Sequence, residues 1–129
     1  MPEAEGRKYT FESEGAIDTK VLETIKYTGG KQTIEYKTRE FSAVCPFSGL
    51  PDTARVVIRY VPCEKIVELK SLKYYFVSFR NVGIYQEKAT DRMFKDIEKL
   101  LEPEYLYVET IYNTRGGIDS KCFMESEKK

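Results

Sequence analysis

Apolar and polar residues alternate in part from Gln32 to Val44, with Ile34, Tyr36 and Phe41 as inward positions. A period of two predicts a strand. Arg55–Val61 is dense in β-branched residues and reads as a second strand, closed by Pro62. Between them Cys45–Asp52 holds two prolines and a glycine, which predicts a loop. The pattern then changes period. Leu69, Leu72, Tyr75, Phe76 and Phe79 recur at helical spacing across 68–80. After the break at Asn81-Val82-Gly83, residues 85–101 give a second amphipathic helix, with Met93, Ile97, Leu100 and Leu101 on one side and Pro103 as its stop. Tyr105–Tyr112 and Ile118–Met124 read as two more strands around the turn Asn113–Gly117, and the last residues are expected to fray. Val21–Tyr27 is a short strand or lead-in before Gly29-Gly30.

Two hairpins flanking a helix pair predict an α+β fold, an antiparallel four-stranded sheet with two helices on one face. Met1–Lys20 lacks hydrophobic periodicity and is expected to be a disordered arm, leaving 21–129 as one domain. Such a sheet has exposed edges. Closing a barrel with further copies is one way to cover them, so a homo-oligomer is expected.

Charge narrows the partners. Lys plus Arg number 21 and Asp plus Glu 21, so the formal net charge is zero. That balance gives no general attraction for nucleic acid or an anionic membrane, and neither is expected as a direct partner. No apolar run has membrane-span length, and the polar start does not resemble an export signal. Three cysteines, Cys45, Cys63 and Cys122, fit a reduced cytoplasmic setting. Cys63 is expected near a strand end and Cys122 within a strand, both structural. Histidine is absent. No Ser-His-Asp triad, Cys-His dyad or His-ligated zinc site can be built, and proton transfer falls to Asp, Glu, Tyr, Lys or Cys.

Four clusters could carry chemistry. Cys45 and Asp52 share a proline-stiffened loop, a thiol nucleophile and a carboxyl proton donor seven residues apart. Taken alone they are as readily a small buried hydrophobe and a turn residue. Lys70, Ser71 and Lys73, with Arg80, could meet phosphates or simply form a solvated helix face. Glu87 could stabilise a helix start or accept hydrogen bonds from a guanine-like edge. Thr114-Arg115-Gly116-Gly117 could bind an anion or only turn a hairpin.

Together the clusters resemble a known family. Cys45-Pro-x-Ser-Gly-x-Pro-Asp52, Val67-Glu68-Leu69-Lys70-Ser71-Leu72-Lys73-Tyr74-Tyr75, Phe79-Arg-Asn-x-Gly83 leading to Glu87, and Arg115-Gly-Gly117 are similar, in order and spacing, to the 7-cyano-7-deazaguanine reductases. These are the NADPH-dependent nitrile reductases of the queuosine tRNA-modification pathway, and the resemblance spans Phe41–Gly117. It implies the tunnelling fold shared with GTP cyclohydrolase I. It also implies stacked rings, expected to be decamers, with active sites between subunits. By analogy Cys45 adds to the nitrile carbon to form a thioimide, and Asp52 protonates the nitrile nitrogen. NADPH delivers two hydrides, and a primary amine results. Val67, Glu68, Leu69, Gln86 and Glu87 would contact the deazapurine, and Lys70, Ser71, Lys73 and Arg115 the cofactor. Many members carry histidine where this chain has Gln86, so water, Tyr85 or Asp52 is expected to deliver the proton instead.

Other readings remain open. One is the amidinotransferase-like relative that acts on the nitrile already installed in archaeal tRNA. It lacks the stretch seen here at 68–75. Another is a purine- or pterin-binding module without chemistry. A zinc-dependent cyclohydrolase of the same fold is excluded by the missing histidine ligands.

Overall fold

The computed structural model describes residues 4–128. Six strands and two α-helices follow one another: β1 (Thr24–Lys26), β2 (Ile34–Val44), β3 (Pro51–Val61), β4 (Lys65–Val67), α1 (Leu69–Val77), α2 (Gln86–Leu101), β5 (Tyr105–Arg115) and β6 (Ile118–Glu127). The main sheet is antiparallel, in the order β2-β3-β5-β6, and β1 pairs with β4 in a separate small ribbon. Both helices are inserted between the two hairpins, as the change of period predicts. No helix among the described residues is long and apolar enough to cross a membrane.

Register carries the core from strand to helix. A bulge between Thr38 and Phe41 shifts the β2–β3 pairing. It lets Phe41 and Ala43 continue the inward face begun by Ile34 and Tyr36. Phe41 then meets Phe79 edge-on with ring centroids 5.1 Å apart, and Phe79 meets Tyr75 at 5.3 Å. From α2, Met93, Ile97 and Leu101 are buried in the same core. Edge-to-face aromatic pairs add about 0.5–1.5 kcal/mol each to the burial of their area.

Several boundaries differ from the sequence reading. β3 begins at Pro51, so Asp52 lies in a strand opposite Ala43 and not in the preceding loop. Pro51 is tolerated there because it is the first residue of the strand. β5 reaches Arg115, and Gly116 and Gly117, both at positive φ, make the two-residue turn into β6. β6 runs on to Glu127 because its pairing with β5 continues to Tyr105↔Glu127. β4 carries too few residues to show a period. α1 spans Leu69–Val77 within the wider 68–80 expectation.

Residues 4–20, the described part of the expected disordered arm, follow a defined course. Ile17 is buried in the core, Tyr9 N donates to Ser48 O at 2.9 Å, and Glu12 N donates to Asn81 O at 2.7 Å. Single anchors of this kind leave no periodicity in a sequence. Residues 1–3 and 129 lie outside the described residues.

Candidate active site

Cys45 follows β2 directly and heads a tight turn. Cys45 N donates to Leu50 O at 2.8 Å, and Gly49 N donates to Cys45 O at 2.9 Å. Gly49 has φ +75, and a Cβ there would run into the Tyr9 carbonyl, so glycine is required twice over. On the other side Val44 is bracketed by Val82 and Ile84, through Val44 N to Val82 O at 3.0 Å and Ile84 N to Val44 O at 3.2 Å. The half-exposed thiol is thereby held at a fixed point.

Its electrostatics favour the anion. The backbone amide of Ser48, then the Ser48 hydroxyl and the Phe47 amide, point hydrogen-bond donors at the sulfur and lower its pKa, against burial and the Asp52 charge. A thiolate is the nucleophilic form. Nothing in the type of Ser48 alone marks it for this role. Its place in the Cys-Pro-x-Ser-Gly turn is the signal that could have found it.

Asp52 stands on β3 with its side chain 13% exposed, and Arg115 Nη1 lies 3.4 Å from its Oδ1. Arg115 thus reaches back from the β5–β6 turn to the carboxylate, and it stacks over the Tyr112 ring at 5.1 Å. The sequence reading assigned Arg115 to the cofactor; here it keeps company with Asp52. Glu87 is exposed at the second position of α2, where a carboxylate suits the helix dipole. With Thr90, Lys121 and Cys122 it lines a cavity of about 390 Å³. Burial and the Glu87 charge push the Cys122 thiol up, which makes it the less reactive of the two. Cys63 lies just beyond β3 and Cys122 within β6, at the positions expected.

Gln86 faces the other way. Its Nε2 donates to Thr110 O at 3.2 Å, Thr110 Oγ1 at 3.3 Å and Ser120 O at 3.3 Å, and Ser120 Oγ donates to its Oε1 at 2.6 Å. The amide ties α2 to β5 and β6, so its polar atoms are used inside the fold. The resemblance implies a substrate contact at Gln86, and the structure shows its amide as an internal bracket.

The 67–73 stretch forms a separate place. A groove of about 670 Å³ runs between α1 and β2, lined among others by Glu68, Leu69, Lys70, Lys73, Phe76 and Arg80. Cys45, Asp52 and Glu87 do not line it. Glu40, also on its wall, is five residues from Cys45, roughly 16 Å along an extended strand. Glu68 accepts from Lys70 N at 2.6 Å and Ser71 N at 3.0 Å and so caps α1. Val67 is buried in the core. Ser71 is buried as well; its hydroxyl donates to Glu68 O at 2.7 Å and accepts from Glu23 N at 3.0 Å. Leu69, Lys70 and Lys73 remain exposed.

The profile of the family described as "QueF-like protein" matches residues 51–129. A protein of Thermotoga maritima named NADPH-dependent 7-cyano-7-deazaguanine reductase is 58% identical over 98% of the chain and 93% of its own length. The protein of that name from Caldicellulosiruptor bescii is 50% identical over 95% of each chain. Among solved structures, the apo form of the archaeosine synthase QueF-Like superposes with a TM-score of 0.70 at 22% identity, over 76% of this chain and 96% of that one. At that identity the likeness establishes the fold alone, which is the tunnelling fold.

Proposed function

We propose, since the chain belongs to the QueF-like family of NADPH-dependent 7-cyano-7-deazaguanine reductases, that it reduces the nitrile of 7-cyano-7-deazaguanine to the aminomethyl group, in the cytoplasm and on the free base. The observation that carries the reading is the Cys45 sulfur, half-exposed and fixed in a cradle of amide donors that lower its pKa, close enough to Asp52 to feel its charge.

Cys45 sulfur adds to the nitrile carbon, which is a soft, weak electrophile matched to a thiolate. The Asp52 carboxylate takes the S–H proton and passes it to the nitrile nitrogen as the C–S bond forms, and the C≡N triple bond becomes the C=N of a thioimide. Arg115 holds the Asp52 carboxyl group in place. Glu87 accepts from the N–H edge of the pyrimidine ring. Fixing nucleophile and acid on adjacent strand ends turns orientation into rate.

NADPH, when bound, supplies two hydrides, each matched by a proton, and the product leaves as a primary amine. The groove between α1 and β2 suits such a molecule: Lys70, Lys73 and Arg80 offer cations for its phosphates, and Leu69 and Phe76 offer apolar surface for a ring. Ser71 contributes through the fold of the helix start, its hydroxyl being engaged.

One chain holds these two half-sites apart, and β2 and β6 are edge strands. Both facts support a homo-oligomer in which the groove of one copy meets the Cys45 end of another, in stacked rings. The archaeal tRNA-modifying alternative has fold likeness behind it but no comparable identity.

The test is NADPH absorbance with 7-cyano-7-deazaguanine, wild type against Cys45→Ala, with intact-mass analysis. Turnover and a covalent adduct are expected in wild type and neither in the variant. Turnover by Cys45→Ala would refute the thioimide route, and activity only on nitrile-bearing tRNA would favour the alternative.

A further inference from the structure

Residues 8–12 meet the nucleophile turn and the segment beside it at several points. Tyr9 N donates to Ser48 O at 2.9 Å, and Lys8 Nζ lies over the Phe47 ring at 4.6 Å. Three residues on, Glu12 N donates to Asn81 O at 2.7 Å and Glu12 O accepts from Gly83 N at 2.9 Å, which makes a parallel bridge between Glu12 and Val82. Phe11 stands between these anchors. Gly83 does not have a positive φ, so its backbone does not demand glycine. Room demands it: a Cβ on Gly83 would enter the Phe11 ring and would stand 3.1 Å from Pro46 Cα. The ring therefore lies on the Gly83 backbone, beside the residue that follows Cys45.

These contacts fix the chain on both sides of the sulfur. The Ser48–Gly49 peptide is tied at each end, its carbonyl by Tyr9 N and its N–H by Cys45 O. Ser48 is the residue whose amide and hydroxyl face the thiol. On the other side, Val44 bonds to Val82 and Ile84, and Glu12 bonds to Asn81 and Gly83 of the same segment. One hydrogen-bonded layer thus runs from Glu12 through 81–84 to Val44, and Cys45 is the next residue. Phe11 itself is 37% exposed and no member of the core, so it adds little to the fold as a whole.

We propose that residues 9–12 clamp the Cys45 turn, with Phe11 as a positioning residue for the sulfur. Phe11 touches no reacting atom and acts through Gly83 and Pro46. Its effect on turnover rests on the nitrile-reductase reading; its effect on the thiol does not. A nucleophile displaced by about 1 Å can lose on the order of a hundredfold in rate, which gives so small a segment leverage.

The experiment compares wild type with Phe11→Ala and Phe11→Leu in the full chain. Cys45 alkylation by iodoacetamide is followed against pH by peptide mass mapping, kcat and KM by NADPH absorbance with 7-cyano-7-deazaguanine, and Tm by scanning fluorimetry. Phe11→Ala should move the Cys45 alkylation midpoint upward and lower kcat at least tenfold. KM for NADPH should stay within about twofold and Tm within about 5 °C. Phe11→Leu, which refills the space, should recover most of both losses. Alkylation of Cys63, beyond the far end of β3, should be unchanged. Should Phe11→Ala not fold, Tyr9→Pro, which deletes the N–H held by Ser48 O, must give the same shift. An unmoved Cys45 midpoint overturns the proposal, whether Tm falls or holds, because a purely structural ring changes stability and leaves the thiol alone. If wild type shows no turnover, the nitrile-reductase reading fails, and the alkylation curves still decide the clamp.

Discussion

Gln86→Leu removes the amide that ties α2 to the sheet while keeping most of its volume. The wild-type side chain makes four hydrogen bonds, to the Thr110 carbonyl and hydroxyl and to the Ser120 carbonyl and hydroxyl. Thr110 Oγ1 keeps a partner in Thr90 Oγ1 at 2.7 Å, so it is not orphaned by the change. The other three groups lose a partner each. Unmade buried hydrogen bonds cost about 1–3 kcal/mol. Ser120 is only half-buried, which lets water replace part of its loss. A total of about 2–4 kcal/mol is therefore expected. For a chain of this size that is a fall in Tm of roughly 6–14 °C. Lys88→Ala, two residues on and exposed, removes only the surface pair Lys88 Nζ–Glu14 Oε2 at 2.9 Å. It should move Tm by under about 3 °C. The assay is thermal unfolding of both variants at equal protein concentration, because assembly adds to apparent stability. Glu87 follows Gln86 directly, so loosening the bracket should also raise KM for the cyano base more than it lowers kcat. A Gln86→Leu protein with wild-type Tm would refute the claim that this amide joins helix to sheet.

Ser48→Ala removes one of the donors that lower the Cys45 pKa but leaves the amides in place. The alkylation–pH curve of Cys45, followed by peptide mass mapping, should shift its midpoint upward, with slower reaction below it; an unmoved midpoint would show that the hydroxyl does not stabilise the thiolate. Gly49→Ala forces a Cβ against the Tyr9 carbonyl at a φ of +75, a strain of about 1–2 kcal/mol before the clash. Turnover should fall at least tenfold, with Tm down by several degrees, and an unaffected kcat would mean that the turn is not what positions the sulfur.

Sequence and structure divide the site in an instructive way. Residue type and spacing left Cys45, Asp52 and Glu87 open between chemistry and structure, and only their resemblance to a family pattern proposed them as a site. Arg115 was legible as a residue but not as a partner, since the β5–β6 turn that returns it to Asp52 exists only once the strands have paired. By resemblance Gln86 and Ser71 read as ligand contacts, and in the structure both are buried with their polar atoms engaged inside the protein. A polar residue at the start of a helix carries no mark of the face it will turn to. Ser48 carries no such mark in the sequence, because an amide cradle is a tertiary fact.

The strand and helix order, the shift in period at Glu68, and the chemistry open to a chain without histidine were all determined by the sequence itself. Each depends on residue type and on separations within one element. Which face Gln86 takes, where Arg115 ends, and that residues 4–20 lie against the Cys45 turn were decided only by tertiary structure. Those outcomes depend on groups distant along the chain competing for the same buried space and the same hydrogen-bond partners, and a linear pattern holds no record of that competition.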